Sequence, residues 1–564
     1  MRFSFFKKRN RNREIAPEDI FIDGKNLPKY EIERFQGHLE KPISQKTVFF
    51  TGLVFLLIGI AFSYRVYALQ IMKGQEYFDE SKNNSLKKIP ILADRGIVKD
   101  RNGELLVWNT ASTDHPEFSS RKYTEDAGMS HLLGYISYPA KDKSGIYYSD
   151  NFTPKEGAEL LYDAILAGKN GNALLEVDAV GKVKSESTID FPREGAPLIL
   201  SIDSRIQNKL YKSMSDLSEK IGFTGGAGAI MNINTGELIA ITSYPEFDSN
   251  VMTDSRDGKK IADYQSNSKK YFLNRAIEGV YTPGSIVKPY IALGALNEKT
   301  ITSEKKILST GSISIPNPYD KTKPSIFNDW KAHGWVDMRQ AIAVSSDVYF
   351  YEVGGGFEDQ KGLGILNIKK YMQLFGFGAP VPGDYSSDTS GILPDPAWKE
   401  ENFPGDVWRV GDTYNTSIGQ YGMQVTPLQA LRAIASVANN GKLVTPTILK
   451  EGNTGKTFEE TLPLPAENYS IIREGMHKGV TGGGTAAGLF SPEYSIAAKT
   501  GTAELGAKKA FVNSWVTGFF PYENPKYAFV VMMEKGPKGN IYGATFVMRE
   551  LLDWMVVNTP DYLK

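Results

Sequence analysis

The first clear pattern along the chain is an uncharged apolar run near its start. Residues 47–64 read TVFFTGLVFLLIGIAFSY and carry no charged side chain. A membrane-spanning helix needs roughly 20 apolar residues, so this run predicts a single transmembrane helix, which we place at 47–69. The mixed, polar residues 1–46 before it predict a short tail.

The next stretch, residues 70–198, consists of short apolar runs separated by turn residues. The triplet Arg-Asn-Gly at 101–103 stands between two such runs, GIVKD and ELLVWN, and predicts a β-hairpin. We therefore expect a small β-rich module here, without catalytic residues.

From 199 to 564 the apolar positions recur at helical spacing, with strand-like runs at both ends. Asp203 can cap a helix whose apolar face holds Ile206, Leu210, Met214, Leu217 and Ile221. Strand pairs are predicted at 226–245 and 514–536. Strands at both ends with helices between them predict an α/β (α+β) domain whose mostly antiparallel sheet lies between helices.

One predicted helix, residues 285–296, is apolar on every side, which is typical of a helix buried in a large domain. Lys288 lies within it, one turn after Ser285. Burial of an ammonium group costs several kcal/mol of free energy unless the group is paired or loses its proton. A neutral Lys288 could act as a base toward the Ser285 hydroxyl, which alone is a poor nucleophile.

The spacing Ser-x-x-Lys carries little information by itself. It also occurs in segments that begin at Ser4, Ser85, Ser119, Ser266 and Ser303. Only at Ser285 does the lysine lie in an apolar helix entered through Pro283 and Gly284. This context, rather than the spacing, favours a catalytic role over a structural one.

Two further groups of polar residues support a serine-based site. Ser345 and Asp347 follow a helix-like run, and the strand-like segment SIAAKTGTAEL places Lys499, Thr500, Gly501 and Thr502 in succession. A glycine lets a substrate approach a strand closely, while a lysine and two hydroxyl groups suit a carboxylate. In isolation the first group is also typical of a surface turn, and the second of an edge strand.

Composition narrows the function classes. Basic and acidic residues number 65 each, so no net field attracts the protein to nucleic acid. The chain has no cysteine, which excludes disulfides, thiolate metal sites and cysteine nucleophiles. An exported protein suits this composition.

The charges around the apolar run predict its orientation. Six basic side chains and no acidic one fall within the first 13 residues, and Lys41 and Lys46 precede the run. The positive-inside rule places the N-terminus in the cytoplasm and the later domains outside the cytoplasmic membrane. A cleaved signal peptide is the alternative, but the run starts late and RVYALQIMKGQ after it lacks a small-x-small cleavage site.

The three groups of polar residues that begin at Ser285, Ser345 and Lys499, taken together and in this order, resemble the signature of the class B penicillin-binding proteins. Within that family they are most like the elongation-type penicillin-binding protein 2. The resemblance extends from about Arg95 to Glu534, and no segment resembles a glycosyltransferase domain. Other matching segments are RGIVKDRNG, HLLGYI, YDAILAGKNG, LILSIDSRIQ, NRAIEGVYTPGSIVKP, IGQYGMQVTPLQA and GGGTAAGLF.

The resemblance implies a membrane-anchored transpeptidase that cross-links peptidoglycan and is acylated by β-lactams. Its partners would be peptidoglycan precursor strands, a membrane glycosyltransferase and a cell-shape complex, and it implies no cofactor. Ser285 would be the nucleophile, Lys288 its base and Ser345 a proton relay to the leaving group. Lys499, Thr500 and Thr502 would hold the substrate carboxylate, and the backbone N–H groups of Ser285 and Thr502 would form the oxyanion hole.

Two departures from the family pattern bear on the subgroup. Asp347 stands where most relatives have asparagine, which favours the elongation type over the division type. Only 27 residues separate RGIVKDRNG from HLLGYI, which predicts a reduced head in the module at 70–198. The remaining alternatives are an anchored D,D-carboxypeptidase or β-lactamase, a scaffold for a membrane glycosyltransferase, and a β-lactam sensor.

A last cluster could bind a metal. Asp329, His333 and Asp337 are spaced four residues apart and would share one face of a continuous helix. Gly334 and the turn-like segment NDWKAHGW argue against such a helix. A surface loop is the favoured interpretation.

Overall fold

The computed structural model describes residues 44–113, 115–141, 147–177, 183–317, 320, 322–450, 459–506 and 508–564. Two compact units can be distinguished. Lys88–Leu174 and Glu186–Lys564 form one, and the described parts of Met1–Lys87 and Leu175–Ser185 form the other. The basic residues used above to orient the tail, up to Lys41, lie outside the described residues.

The predicted apolar helix is present. Helix α1, Gln45–Tyr67, begins after Ser44, whose hydroxyl accepts the N–H of Thr47 at 3.1 Å. A π-helical turn at Ala68–Met72 and helix α2, Gly74–Ser85, follow it. Among the described residues, Gln45–Met72 is the one helical segment long and apolar enough to cross a membrane.

The module after the anchor is built from short strands, as predicted. Its elements are β1 Leu86–Ile91, β2 Val98–Lys99, β3 Leu105–Thr110, β4 Ser120–Tyr123, α3 Ser130–Leu133, β5 Ile136–Ser137, β6 Ala140–Lys141, β7 Tyr147–Ser149, β8 Thr153–Pro154, α4 Gly157–Leu161, α5 Asp163–Leu166, β9 Gly171–Val177, β10 Val183–Asp190 and β11 Leu198–Ile199. Strands β11, β2, β3 and β4 form one sheet in that order. The predicted hairpin is its β2–β3 pair, and Asp100 accepts the N–H groups of Asn102 and Glu104 in the turn.

A buried charge cluster joins this sheet to α4. Glu159 accepts hydrogen bonds from Arg95 and from Arg121, each ion pair at 2.8 Å. All three side chains are at most 1% exposed. Two guanidinium groups therefore compensate one carboxylate that has no access to water, and the cluster fixes how the helix sits on the sheet.

The larger region begins with helix α6 and ends with helix α17. Its elements are α6 Ser204–Ile221, β12 Gly225–Asn232, β13 Leu238–Tyr244, α7 Ser249–Asp254, α8 Gly258–Ser266, α9 Lys288–Asn297, β14 Ile307–Ser309, β15 Ser312–Ile315, β16 Ser325–Asn328, β17 Gly334–Val336, α10 Met338–Val344, α11 Asp347–Gly355, α12 Ile365–Leu374, α13 Pro396–Asn402, α14 Val410–Ser417, α15 Pro427–Ala438, β18 Lys442–Val444, β19 Glu459–Thr461, α16 Ala466–Thr481, β20 Ala497–Leu505, β21 Phe511–Phe520, β22 Tyr527–Pro537 and α17 Ala544–Asn558. Short 3₁₀ turns occur at Gly284–Val287, Ala487–Leu489 and Pro560–Leu563.

The central sheet has the order β13-β12-β22-β21-β20, and every neighbouring pair is antiparallel. The first and last strands of the region are therefore neighbours in one sheet, which confirms the predicted architecture. Both predicted strand pairs are present, and Asp203 caps α6 by accepting the N–H of Arg205 at 3.2 Å.

Helices cover both faces of this sheet. Successive residues of β22 point to opposite faces, so Val530 and Met532 join one apolar cluster, and Phe529 and Val531 join the other. Helix α15, whose residues are all buried, packs against β12, β21 and β22, while α6 and α17 pack against the same sheet within the second cluster. The sheet is thereby enclosed, and its edge strand β20 borders the site described below.

Candidate active site

Ser285 lies in a 3₁₀ turn rather than in the first turn of an α-helix. The predicted helix at 285–296 is divided into this turn, Gly284–Val287, and α9. The N–H of Lys288 donates to the carbonyl of Ser285, and Pro289 after it has no N–H to donate. Because a 3₁₀ turn has three residues, Lys288 stands directly above Ser285.

Two glycines allow this turn to pack tightly on β20. Gly284 has a φ of 58°, and a Cβ there would lie 3.0 Å from the carbonyl oxygen of Thr502. A Cβ on Gly501 would lie 2.7 Å from the carbonyl oxygen of Pro283. Glycine is therefore required on both sides of the contact, and the turn meets the strand backbone to backbone.

Lys288 is buried, as predicted, and its amine is surrounded by oxygen atoms. Its Nζ donates to the Ser345 carbonyl at 2.8 Å and to Asp347 Oδ1 at 2.6 Å, and it lies 3.3 Å from Ser345 Oγ. Its side chain is 0% exposed. The ion pair with Asp347 is a contact that the sequence did not indicate.

Ser345 is held between two amines. Its Oγ lies 3.3 Å from Lys288 Nζ and 2.8 Å from Lys499 Nζ. Ser345 has a φ of 59° and a ψ of 39°, a left-handed conformation that costs a non-glycine residue on the order of 1 kcal/mol. This conformation ends α10 and lets α11 begin at Asp347, so Ser345 and Asp347 both contact the Lys288 amine.

Lys499 is the second buried lysine of the site, and its pKa is shifted. Its Nζ also donates to the Thr500 carbonyl at 2.9 Å, and the residue is 1% exposed. Burial, together with the positive charge of Lys288, holds the pKa of Lys499 well below its usual range, although Asp347 acts in the opposite direction.

Two cavities meet at Ser285. One, of about 450 Å³, is also lined by Ser345, Asp347, Thr500, Gly501 and Thr502. The other, of about 690 Å³, extends past Asp347 to Gln420, Tyr421 and Glu504. Trp330 borders both cavities, and its indole N–H donates to the Val344 carbonyl at 3.2 Å. The two cavities together form one cleft, and all eight predicted site residues line this cleft or contact a residue that lines it.

Thr485 belongs to the site but was not predicted. Its hydroxyl lies 2.6 Å from the hydroxyl of Thr500, and it lines the smaller cavity. The glycine-rich segment GGGTAAGLF around it was the available signal. Its N–H donates to the Ala343 carbonyl, so this loop is fixed to α10 and holds Thr485 against β20.

The surface-loop interpretation of Asp329, His333 and Asp337 was right to reject a continuous helix and wrong to place Asp329 at the surface. The three residues share no helix, since β16 ends before them and Asp337 caps α10 by accepting the N–H of Gln340. Asp329 is also not exposed, because its side chain is 0% accessible. Within the described part of the chain, no group of three or more His, Cys, Asp or Glu side chains is arranged to hold a metal ion.

Asp329 instead supports the start of α11. It accepts the Ser346 hydroxyl at 2.9 Å and the Val348 N–H at 3.0 Å. Burial raises the pKa of Asp329, but the backbone N–H groups of Val348 and Asp347, with smaller contributions from Ser346 and Lys288, outweigh it and leave this pKa lowered. An ionised Asp329 thus anchors the segment that carries Ser345 and Asp347.

Comparisons with known proteins identify the family of the chain. Residues 226–553 match a family model described as penicillin binding protein transpeptidase domain, and residues 116–200 match one described as penicillin-binding protein dimerisation domain. A curated relative, peptidoglycan D,D-transpeptidase MrdA of Haemophilus influenzae, is 26% identical over 94% of this chain and 94% of its own length.

Solved structures give the same result. The penicillin-binding protein PBP2 of Pseudomonas aeruginosa, in complex with WCK 5153, is 28% identical with a TM-score of 0.66 and covers 84% of this chain and 99% of its own. PBP2 of Helicobacter pylori, in a complex with MreC, is 27% identical with a TM-score of 0.68 and the same coverage. The chain therefore belongs to the penicillin-binding protein family, with a dimerisation domain followed by a transpeptidase domain.

Proposed function

We propose that this protein is a serine D,D-transpeptidase that cross-links peptidoglycan stem peptides during cell elongation. The observation that carries the proposal is the position of Ser285, which opens on both cavities one turn below the buried amine of Lys288. Relatives that match most of the chain are named as peptidoglycan D,D-transpeptidases. Those names favour a transpeptidase, which transfers the acyl group to an amine, over a carboxypeptidase, a β-lactamase or a scaffold protein.

In the proposed reaction, Ser285 Oγ attacks the carbonyl carbon between the two terminal D-alanines of a stem peptide. Lys288 accepts the hydroxyl proton, and Ser345 delivers a proton to the departing D-alanine amine. An amine of a neighbouring stem then attacks the acyl-enzyme, forms the cross-link and releases Ser285. β-Lactams would acylate the same hydroxyl.

The strand β20 would hold the substrate. Thr500 and Thr502 offer hydroxyl groups, and Lys499 a nearby amine, for the terminal carboxylate of the stem. The backbone N–H groups of Ser285 and Thr502 would bind the oxyanion of the tetrahedral intermediate. The close packing of Gly284 on Thr502 supports this pairing, since it brings the two backbones together.

The location and partners follow from the anchor and from the relatives. In our proposal Gln45–Met72 spans the cytoplasmic membrane once, with the tail in the cytoplasm and the catalytic domain outside. The Helicobacter pylori relative was solved in complex with MreC. We expect a comparable cell-shape protein, together with a membrane glycosyltransferase that supplies the glycan strands, to bind this chain.

Mass spectrometry of the intact protein after incubation with benzylpenicillin, followed by peptide mapping, tests the proposal. The expected result is a slowly released adduct on the peptide that contains Ser285, and its loss in Ser285→Ala. Ser266→Ala is the matched control, because Ser266 has the same Ser-x-x-Lys spacing but lies exposed in α8. A folded protein that never accumulates the adduct, or an adduct that persists in Ser285→Ala, would overturn the assignment.

A further inference from the structure

The two buried lysines share a single hydroxyl group, and their hydrogen bonds distinguish them. Lys288 Nζ faces three oxygen atoms, from the Ser345 carbonyl, Asp347 and Ser345 Oγ. Three acceptors match the three N–H bonds of an ammonium group. One of these acceptors is a carboxylate at 2.6 Å, which favours the charged form.

Lys499 has a different set of neighbours. Its Nζ contacts the Thr500 carbonyl, which accepts a hydrogen bond, and Ser345 Oγ, whose one proton can be donated. If Ser345 donates that proton to a neutral Lys499, its own lone pair remains free to accept the third N–H of Lys288. The hydrogen bonds that connect Lys288, Ser345 and Lys499 are then formed with a single positive charge.

The same arrangement agrees with the electrostatics. Burial and the adjacent Lys288 charge both lower the pKa of Lys499, so one lysine ammonium in this pocket disfavours a second. The proton resides on Lys288, where Asp347 compensates it. In this state Ser285 faces a lysine without a free lone pair, and the nucleophile is not activated.

We propose that a free carboxylate on the substrate activates Ser285 by drawing one proton from Lys288 through Ser345 to Lys499, and that Asp347 determines how strictly activation requires that carboxylate. This inference rests on the proposed function. A carboxylate beside Thr500 would stabilise a charged Lys499, because the Lys499 amine donates a hydrogen bond to the Thr500 carbonyl.

The proton transfer is balanced. An N–H bond of Lys288 breaks as a new O–H bond forms on Ser345, and the original O–H proton of Ser345 forms a new N–H bond on Lys499. No proton is taken up or released. Lys288 is left with a lone pair, which accepts the proton of Ser285 during attack.

Asp347 acts here as a positioning residue. Its carboxylate retains the proton on Lys288 until the substrate charge competes for it. An asparagine of the same shape could still accept a hydrogen bond but would carry no charge, so Lys288 would release its proton more readily without a carboxylate on the substrate.

Benzylpenicillin and its methyl ester test the proposal, because the two probes differ only in the carboxylate. The second-order acylation rate constants of both are measured in the wild type and in Asp347→Asn, with thermal unfolding as a check on folding. Direct contacts to the carboxylate contribute equally to the ratio of acid to ester in both proteins. They therefore cancel when the two ratios are compared, as in a double-mutant cycle. We expect this ratio to fall about tenfold or more in Asp347→Asn, since the ester gains rate.

The opposite outcome has a distinct meaning. If Asp347 only repelled the substrate carboxylate through space, its removal would raise the ratio of acid to ester. An unchanged or increased ratio in folded Asp347→Asn would therefore overturn the proposal. Failure of benzylpenicillin to label Ser285 in the wild type would instead reject the proposed function.

Ser345→Ala provides a second test should Asp347→Asn fail to fold. Loss of the bridging hydroxyl is expected to slow the acid more than the ester, because only the acid uses the transfer to Lys499. If Ser345 served only the leaving group, both probes would slow by the same factor, and an unchanged ratio would again reject the inference.

Discussion

Lys288 donates a hydrogen bond of 2.6 Å to Asp347, so the lysine expected to act as a free base is found as the partner of a carboxylate. The two residues are 59 positions apart and meet because α9 and α11 pack together. The ion pair explains how the lysine can be fully buried in an apolar helix. It also means that activation of Ser285 requires the proton to leave this pair.

Replacement of Lys288 by arginine retains the positive charge but removes the base. A guanidinium group does not deprotonate in proteins, so we expect acylation by benzylpenicillin to slow by about 100-fold or more. The matched control is Lys369→Arg, a half-buried lysine that also pairs with an aspartate at 2.6 Å, Asp395, but lies outside the cleft. An acylation rate close to that of the wild type in Lys288→Arg would refute its role as base.

Thr485→Val removes the hydroxyl that orients Thr500. The Thr500 hydroxyl is then free to rotate, and we expect carboxylate binding to weaken by about tenfold, the effect of one lost hydrogen bond. The rate constant of acylation at saturation should change little. Measurement of the dissociation constant and that rate constant for benzylpenicillin separates the two effects, and Thr485→Ser should restore binding. Equal losses in Thr485→Ser and Thr485→Val would indicate a packing role instead.

Glu159→Gln removes the carboxylate shared by Arg95 and Arg121. The buried guanidinium group of Arg121 would lose its charge partner, while Arg95 would keep its ion pair with Asp163 at 2.7 Å. We expect a loss of about 3–5 kcal/mol in the stability of the module. Urea unfolding, monitored by limited proteolysis within residues 88–174, measures this loss. The exposed residue Glu104 provides the control, since Glu104→Gln should leave the midpoint unchanged.

Glu246 makes the stability of the protein depend on pH. Its carboxylate accepts the N–H groups of Gly128 and Ser130 at 2.6 and 2.8 Å, and burial raises its pKa from 4.5 to about 7 despite these bonds and His131. The folded state therefore binds the proton more tightly than the unfolded state. The resulting stabilisation is complete below pH 4.5 and is lost as the pH rises through about 7.

Glu246→Gln should remove this contribution. The neutral amide has no charge to desolvate, so we expect the variant to lose less stability than the wild type between pH 5 and pH 8. Unfolding midpoints at several pH values across about 4.5 to 7 measure the difference. Parallel profiles for the two proteins would show that Glu246 is not the titrating group.

Local sequence patterns predicted the elements that depend on local physics. The apolar run of α1, the Asp203 cap of α6 and the β2–β3 turn were all correct, because each is determined by neighbouring residues. The helix at 285–296 was only partly correct. Its first turn is 3₁₀, since Pro289 has no N–H and Gly284 must pack against β20.

Sequence by itself indicated most of the candidate site residues, though not Thr485, because the placement of Lys288 in an apolar helix and of Lys499 in a strand is visible in the chain. Only the tertiary structure decided their partners. Ser345 reaches Lys288 across 57 positions and Lys499 across 154, and such contacts depend on strand register and helix packing. The charge state of a buried group depends on the atoms that replace water around it, and these come from distant parts of the chain.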